Sequence, residues 1–160
     1  MQNTINLGKK TINQDAKHHE GKYLIFVLCG EEYGIEILKA REIIGIMNIT
    51  PMPKTSSYIK GVINFRGKVL PVIDLRRKLG FQETDYTKEK CIIVVEIRDK
   101  LAGVIVDTVS EVLNIQGEDL QPTPVFGEGV KNTLFLGKTK IKNKVKILLD
   151  IDKVLSRRDQ

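Results

Sequence analysis

The sequence predicts an all-β chain made of two similar halves. Three observations carry that prediction. Apolar residues come in short runs or in strict alternation with polar ones, glycine- and proline-bearing turns separate these runs, and the pattern of the first half returns in the second at a fixed spacing. Leu24-Ile25-Phe26-Val27-Leu28 is the first strand, and Gly30-Glu31-Glu32 turns into the alternating Tyr33–Ile37. Glu42–Ile46 follows as a third strand. Thr50–Ser57 is a loop, because Pro51 and Pro53 suit neither helix nor ladder. Tyr58–Phe65 and Val69–Ile73 flank Arg66-Gly67-Lys68, the layout of a hairpin. Asp74 then caps a short helix, Leu75–Leu79, which Gly80 ends.

Beyond the polar linker Gln82–Glu89 the order of elements begins again. Gly34-Ile35-Glu36-Ile37, running on to Glu42–Ile46, matches Gly103-Val104-Ile105-Val106, running on to Glu111–Ile115. The offset is 69 at both the glycine (103 − 34) and the glutamate (111 − 42), and it also lays Leu24-Ile25-Phe26 over Ile93-Val94-Val95. Further on, Pro71–Leu75 with Leu79 matches Ile147–Ile151 with Leu155 at an offset of 76 (150 − 74). The irregular Gly117–Gly129 stretch absorbs the difference. Each half spans only about 65 residues, so neither buries enough surface to be very stable alone. The two are expected to pack on one another and leave a binding groove between them. The reading is a single domain over 21–157, with halves at about 21–81 and 89–157, a disordered polar tail at 1–20 and a short tail at 158–160.

Composition narrows the function. Both histidines, His18 and His19, fall in the polar N-terminal segment, so imidazole-activated nucleophiles and histidine-rich metal sites have no residues to build on. Phosphate-loop, dinucleotide-loop and hydrolase-elbow spacings are absent from the sequence. A catalytic role, a bound metal and a cofactor are therefore not expected. Cys29 and Cys91 stand alone and read as small buried hydrophobes. No apolar run approaches membrane-spanning length, and the first residues lack a secretory pattern, so the expected location is cytoplasmic. The net charge of +6 is the one unusual feature. Five lysines at period two, Lys138, Lys140, Lys142, Lys144 and Lys146, account for much of it and share one face if the segment is extended, though a turn near Asn143 would split them. A basic β-barrel that binds nucleic acid is the alternative this run raises. Against it, the run has no aromatic platforms for bases and no arginines, and a lysine-guarded edge strand explains it as well.

From Gly30–Ile37 through Arg41-Glu42-Ile43, and above all along Tyr58-Ile59-Lys60-Gly61-Val62-Ile63-Asn64-Phe65-Arg66-Gly67-Lys68-Val69-Leu70-Pro71-Val72-Ile73-Asp74-Leu75-Arg76, the sequence closely resembles the CheW family of bacterial chemotaxis coupling proteins. The match extends through Gly103–Asp107 to Leu149–Leu155 and covers nearly everything except the tails. Phe65 stands where the family more often has Leu. The resemblance implies two intertwined five-stranded SH3-like β-barrels with one or two short helices. It also implies a non-catalytic adaptor that binds the cytoplasmic tips of methyl-accepting chemotaxis proteins and the regulatory domain of the histidine kinase CheA, recruited to membrane receptor arrays. The same module occurs fused to a receiver domain in CheV proteins; with no receiver sequence before Gln160, a stand-alone module is the expectation. Carried over by motif, receptor-binding residues are Arg66, Asn64, Ile37, Ala40, Glu42, Ile43 and Gly61, and kinase-binding residues are Gly103 and Val104. Asp74, Asp150 and Asp107 read as structural carboxylates rather than an acid–base set.

Overall fold

The computed structural model describes residues 20–53, 56–82, 88–121 and 134–156. Among these, β1 (Gly21–Leu28), β2 (Glu31–Glu36), β3 (Ala40–Gly45), β4 (Ile59–Phe65) and β5 (Lys68–Asp74) lead to helix α1 (Leu75–Lys78). They are followed by β6 (Cys91–Ile97), β7 (Lys100–Val106), β8 (Thr108–Ile115), β9 (Phe135–Ile141), β10 (Lys144–Leu149) and helix α2 (Ile151–Val154). The strands form two five-stranded sheets, ordered β8-β1-β2-β10-β9 (barrel 1) and β3-β6-β7-β5-β4 (barrel 2). Each is closed by an isolated bridge beyond its named strands: Thr50 pairs with Val62 in barrel 2, and Gln121 with Lys138 in barrel 1. Of the tails read from the sequence at 1–20 and 158–160, all but Glu20 lie outside the described residues; Glu20 accepts from Gly117 N–H at 2.9 Å.

The repeat holds at the level of register. Ile25 faces Gly34 in barrel 1, and 69 residues later Val94 faces Gly103 in barrel 2. Leu24 pairs with Val112 across β1–β8, as Ile93 pairs with Ile43 across β6–β3. The parallel pairs agree as well, Leu148 with Gly34 and Val72 with Gly103. The barrels nevertheless differ from the sequence halves. Barrel 2 is the continuous stretch β3–β7, and barrel 1 joins β1 and β2 to β8, β9 and β10, so each barrel takes its central strands from the opposite half to its closing hairpin.

Continuous apolar runs mark strands buried on both faces. In β1, Tyr23 and Ile25 point into barrel 1, and Leu24, Phe26 and Leu28 point to the seam between barrels. In β6, Ile92 and Val94 fill barrel 2, and Ile93 and Val95 face the same seam. The seam holds the largest apolar cluster, joined by Leu75 and Leu79 beside α1 and by Ile151 and Val154 of α2. Asp74 caps α1 by accepting from Arg76 N–H at 3.0 Å, and Asp150 caps α2 by accepting from Lys153 N–H at 3.2 Å.

Three expectations change. The lysine run is not one face: Lys142-Asn143 is the β9–β10 turn, with both residues at positive φ, and Lys146 turns inward to pair with Glu32. Cys29 is an exposed turn residue at φ 52° rather than a core one, and Cys91 is half-buried. The expected groove between the halves is confined to an edge: an apolar cluster fills the seam, and among the described residues one cleft lined by Lys22 and Glu36 of barrel 1 and Arg41 and Glu96 of barrel 2 opens at its rim, with a second at one end of barrel 2.

Candidate functional site

Three of the receptor-contact candidates, Asn64, Arg66 and Glu42, meet at one end of barrel 2. Arg66 and Gly67 form the β4–β5 turn with φ of 52° and 81°, the twist a two-residue hairpin loop requires. Asn64 fixes that turn by accepting from Gly67 N–H at 3.1 Å. So oriented, the Arg66 guanidinium lies 4.8 Å from the centre of the Phe65 ring and donates to the Glu42 carboxylate at 2.8 Å. The side chains are 69% and 34% exposed, so this pair sets geometry more than stability.

Glu42 arrives from β3, beyond the crossover between barrels. The chain leaves β2 through a 3-10 turn, Ile37–Lys39, and a bulge near Arg41 directs Glu42 toward Val94. Ile37 and Ala40 are half-buried against the seam, and Ile43 is 46% exposed. Arg41 pairs with Glu96, and both line two adjoining clefts. One, about 450 Å³, includes Glu42, Phe65, Arg66 and Lys68; the other, about 470 Å³, includes Glu20, Ile37, Leu38 and Arg98. Sequence reading missed two of these features. Leu38 is 90% exposed because it sits on the 3-10 turn, just past the strand expected to end at Ile37, and Glu96 is remote in sequence from Arg41.

The other candidates lie elsewhere. Gly61 is buried and serves closure of barrel 2: at φ 150° a Cβ would sit 2.0 Å from the Thr50 carbonyl oxygen. Gly103 and Val104 are buried in β7, between β6 and β5, so their side-chain positions offer no surface to a kinase. A Cβ at Gly103 would meet Ile92 Cγ2 at 2.8 Å, which makes this glycine a packing residue. Asp107 has a structural partner, since Arg76 donates to it twice, at 2.8 and 2.7 Å, and Cys29 N–H donates at 2.9 Å. Burial acts most strongly on Asp107 and pushes its carboxyl up, but the hydrogen bonds from Arg76 and Cys29 together outweigh it and hold the group below its ordinary value. Among the described residues no group of three or more His, Cys, Asp or Glu is placed to hold a metal ion, and no helix is long and apolar enough to cross a membrane.

Two barrels locked by strand exchange, with an ion-paired, cleft-lined end surface, define a scaffold module. Comparison with known proteins specifies which. Residues 22–159 match the CheW-like domain. The chain is 38% identical to the chemotaxis protein CheW of Klebsiella aerogenes, over 93% of this chain and 90% of that one. It is 35% identical to CheW of Rhizobium meliloti, over 87% and 92% respectively. The crystal structure of the scaffolding protein TtCheW from Thermoanaerobacter tengcongensis superposes with a TM-score of 0.80 at 33% identity, covering 88% of this chain and 96% of that one. The chain belongs to the CheW-like family of chemotaxis scaffold proteins.

Proposed function

We propose that this protein is an adaptor that couples methyl-accepting chemoreceptors to the histidine kinase CheA, and that the end of barrel 2 is its receptor-docking surface. The observation that carries the reading is the convergence of two distant segments: Ile37–Ile43 and Asn64–Arg66 meet through the Arg66–Glu42 pair beside two clefts, one bearing exposed Leu38, with exposed Ile43 next to Glu42 on β3. Such a surface suits a helical partner. Apolar Leu38, Ile43 and the stem of Arg66 supply buried area, and the ion pairs fix orientation. Arg66 works as a braced group, its guanidinium held by Glu42 and Phe65 with donors left for a carboxylate or carbonyl on the partner. Gly61 supports the surface from within by closing the barrel. The CheA regulatory domain binds a different surface of this chain, so that receptor and kinase are held together in membrane-associated arrays.

The test is binding of the full chain to a receptor signalling fragment and to a CheA regulatory domain, separately and together. Arg66→Ala is expected to weaken receptor binding about tenfold, the equivalent of ~1.4 kcal/mol, with kinase binding within about twofold of the parent and the fold intact. Equal loss toward both partners, or no loss toward the receptor, overturns the assignment.

A further inference from the structure

The two barrels share one plan, so their interiors can be compared position by position, and one row differs in kind. In barrel 2 it is apolar: Ile63 and Leu70 are register partners and buried, and Leu101 packs against the same cluster. The equivalents in barrel 1 are Thr139 (139 − 76 = 63), Lys146 (146 − 76 = 70) and Glu32 (32 + 69 = 101). They too form a row, Thr139 opposite Lys146 and Lys146 opposite Glu32. Lys146 and Glu32 are ion-paired, with side chains only 4% and 18% exposed. Thr139 is 1% exposed, and among the described residues its hydroxyl meets no hydrogen-bonding partner.

A row of this kind weakens the barrel that holds it. Desolvating two charges offsets much of their attraction, and well-packed apolar side chains at such positions often do as well or better. A buried hydroxyl without a partner is a further cost. Among the described residues, the buried apolar members are Tyr23, Ile25, Ile115 and Leu148 in barrel 1 and six residues in barrel 2. Two of the row's three residues lie on the β9–β10 hairpin, which joins the rest of barrel 1 through a short parallel pairing with β2 and the Gln121–Lys138 bridge. In the same way β4–β5 joins barrel 2 through β7 and the Thr50–Val62 bridge, so the row itself is what sets the two hairpins apart.

We infer that the two barrels are unequal in stability and that the β9–β10 hairpin, which adds Leu149, Ile147 and Phe135 to the seam, opens as a local unit while barrel 2 and the seam contacts of β1, β2, β6 and β7 remain folded. The hairpin is then the deformable element of the scaffold, able to reorganise around a partner at barrel 1 without disturbing the surface at barrel 2.

Hydrogen exchange of the full-length protein under native conditions tests this, because β4–β5 is the topological equivalent and serves as internal control. After correction for intrinsic rates, amides of β9–β10 are expected to exchange at least about tenfold faster than matched amides of β4–β5. Installing the barrel 2 row, Glu32→Leu with Thr139→Ile and Lys146→Leu, is expected to bring the two hairpins within about threefold. Should that variant fail to fold, Thr139→Val decides, with β9–β10 exchange expected to slow about threefold once the hydroxyl is gone. Equal protection of the hairpins in the parent, or a gap unchanged by the replacements, overturns the inference.

Discussion

Arg66 and Arg76 illustrate two uses of one side chain. Arg66 is exposed and braces a surface, and truncating it should lower stability by no more than about 1 kcal/mol, as a thermal melt would read. Arg76 is largely buried and joins α1 to Asp107, where the chain passes from β7 to β8. Arg76→Ala should therefore cost about 2–3 kcal/mol in denaturant unfolding. The pH dependence follows from Asp107, whose carboxyl is held below its ordinary value of 3.8. A lowered folded value gives stability that is full above the unfolded value and is lost as pH falls through the folded one. Acid unfolding of the parent should thus steepen below about pH 4, and Asp107→Asn, weaker at neutral pH, should lose that component. At this scale the sequence was readable where neighbours make the site: Asn64, Arg66 and Gly67 lie within one turn. It was silent on the partner of Arg66, because Glu42 arrives from another strand. The burial of Gly103 and Val104 was not legible, because alternation cannot say which residues of a doubly buried strand reach the surface.

Among the elements, hairpins and caps were the most legible, since both are written in adjacent residues. Asp74 and Asp150 cap equivalent helices, and Asp→Ala at either should cost about 1 kcal/mol. The bridges that close the barrels were not legible, because they join residues distant in sequence. Gly61 and Gly137 occupy equivalent positions at φ 150° and 154°, each under a carbonyl from the closing segment. An added Cβ would lie 2.0 Å from the Thr50 oxygen at Gly61 and 2.9 Å from the Gln121 oxygen at Gly137. Gly61→Ala is accordingly expected to cost about 3 kcal/mol or more and Gly137→Ala measurably less, compared by urea midpoints. The lysine run misled for a local reason. Period two implies a shared face only while the chain stays extended, and the turn at Lys142-Asn143 ends that.

For the whole molecule, the repeat was visible in the sequence but its consequence for the barrels was not. Removing the second half takes β6 and β7 from between β3 and β5, and removing the first takes β1 and β2 from between β8 and β10. Fragments 21–81 and 89–157 should each be largely unfolded by circular dichroism, and an equimolar mixture should regain β signal if the seam reassembles. Signal equal to the simple sum of the fragments would show that the seam does not direct folding.

The crossovers at Ile37–Lys39 and at Asp107 carry the chain from one barrel to the other and back, flanking a packed apolar seam. Two short covalent ties and the apolar cluster they flank restrain one barrel from swinging against the other. A force applied where Arg66 sits therefore reaches the far barrel undamped, as displacement of a rigid strut. In the adaptor role proposed above, a push at the barrel 2 end would arrive at the β1–β2 side of barrel 1 as displacement of the whole subunit, with the β9–β10 hairpin left to yield beyond it.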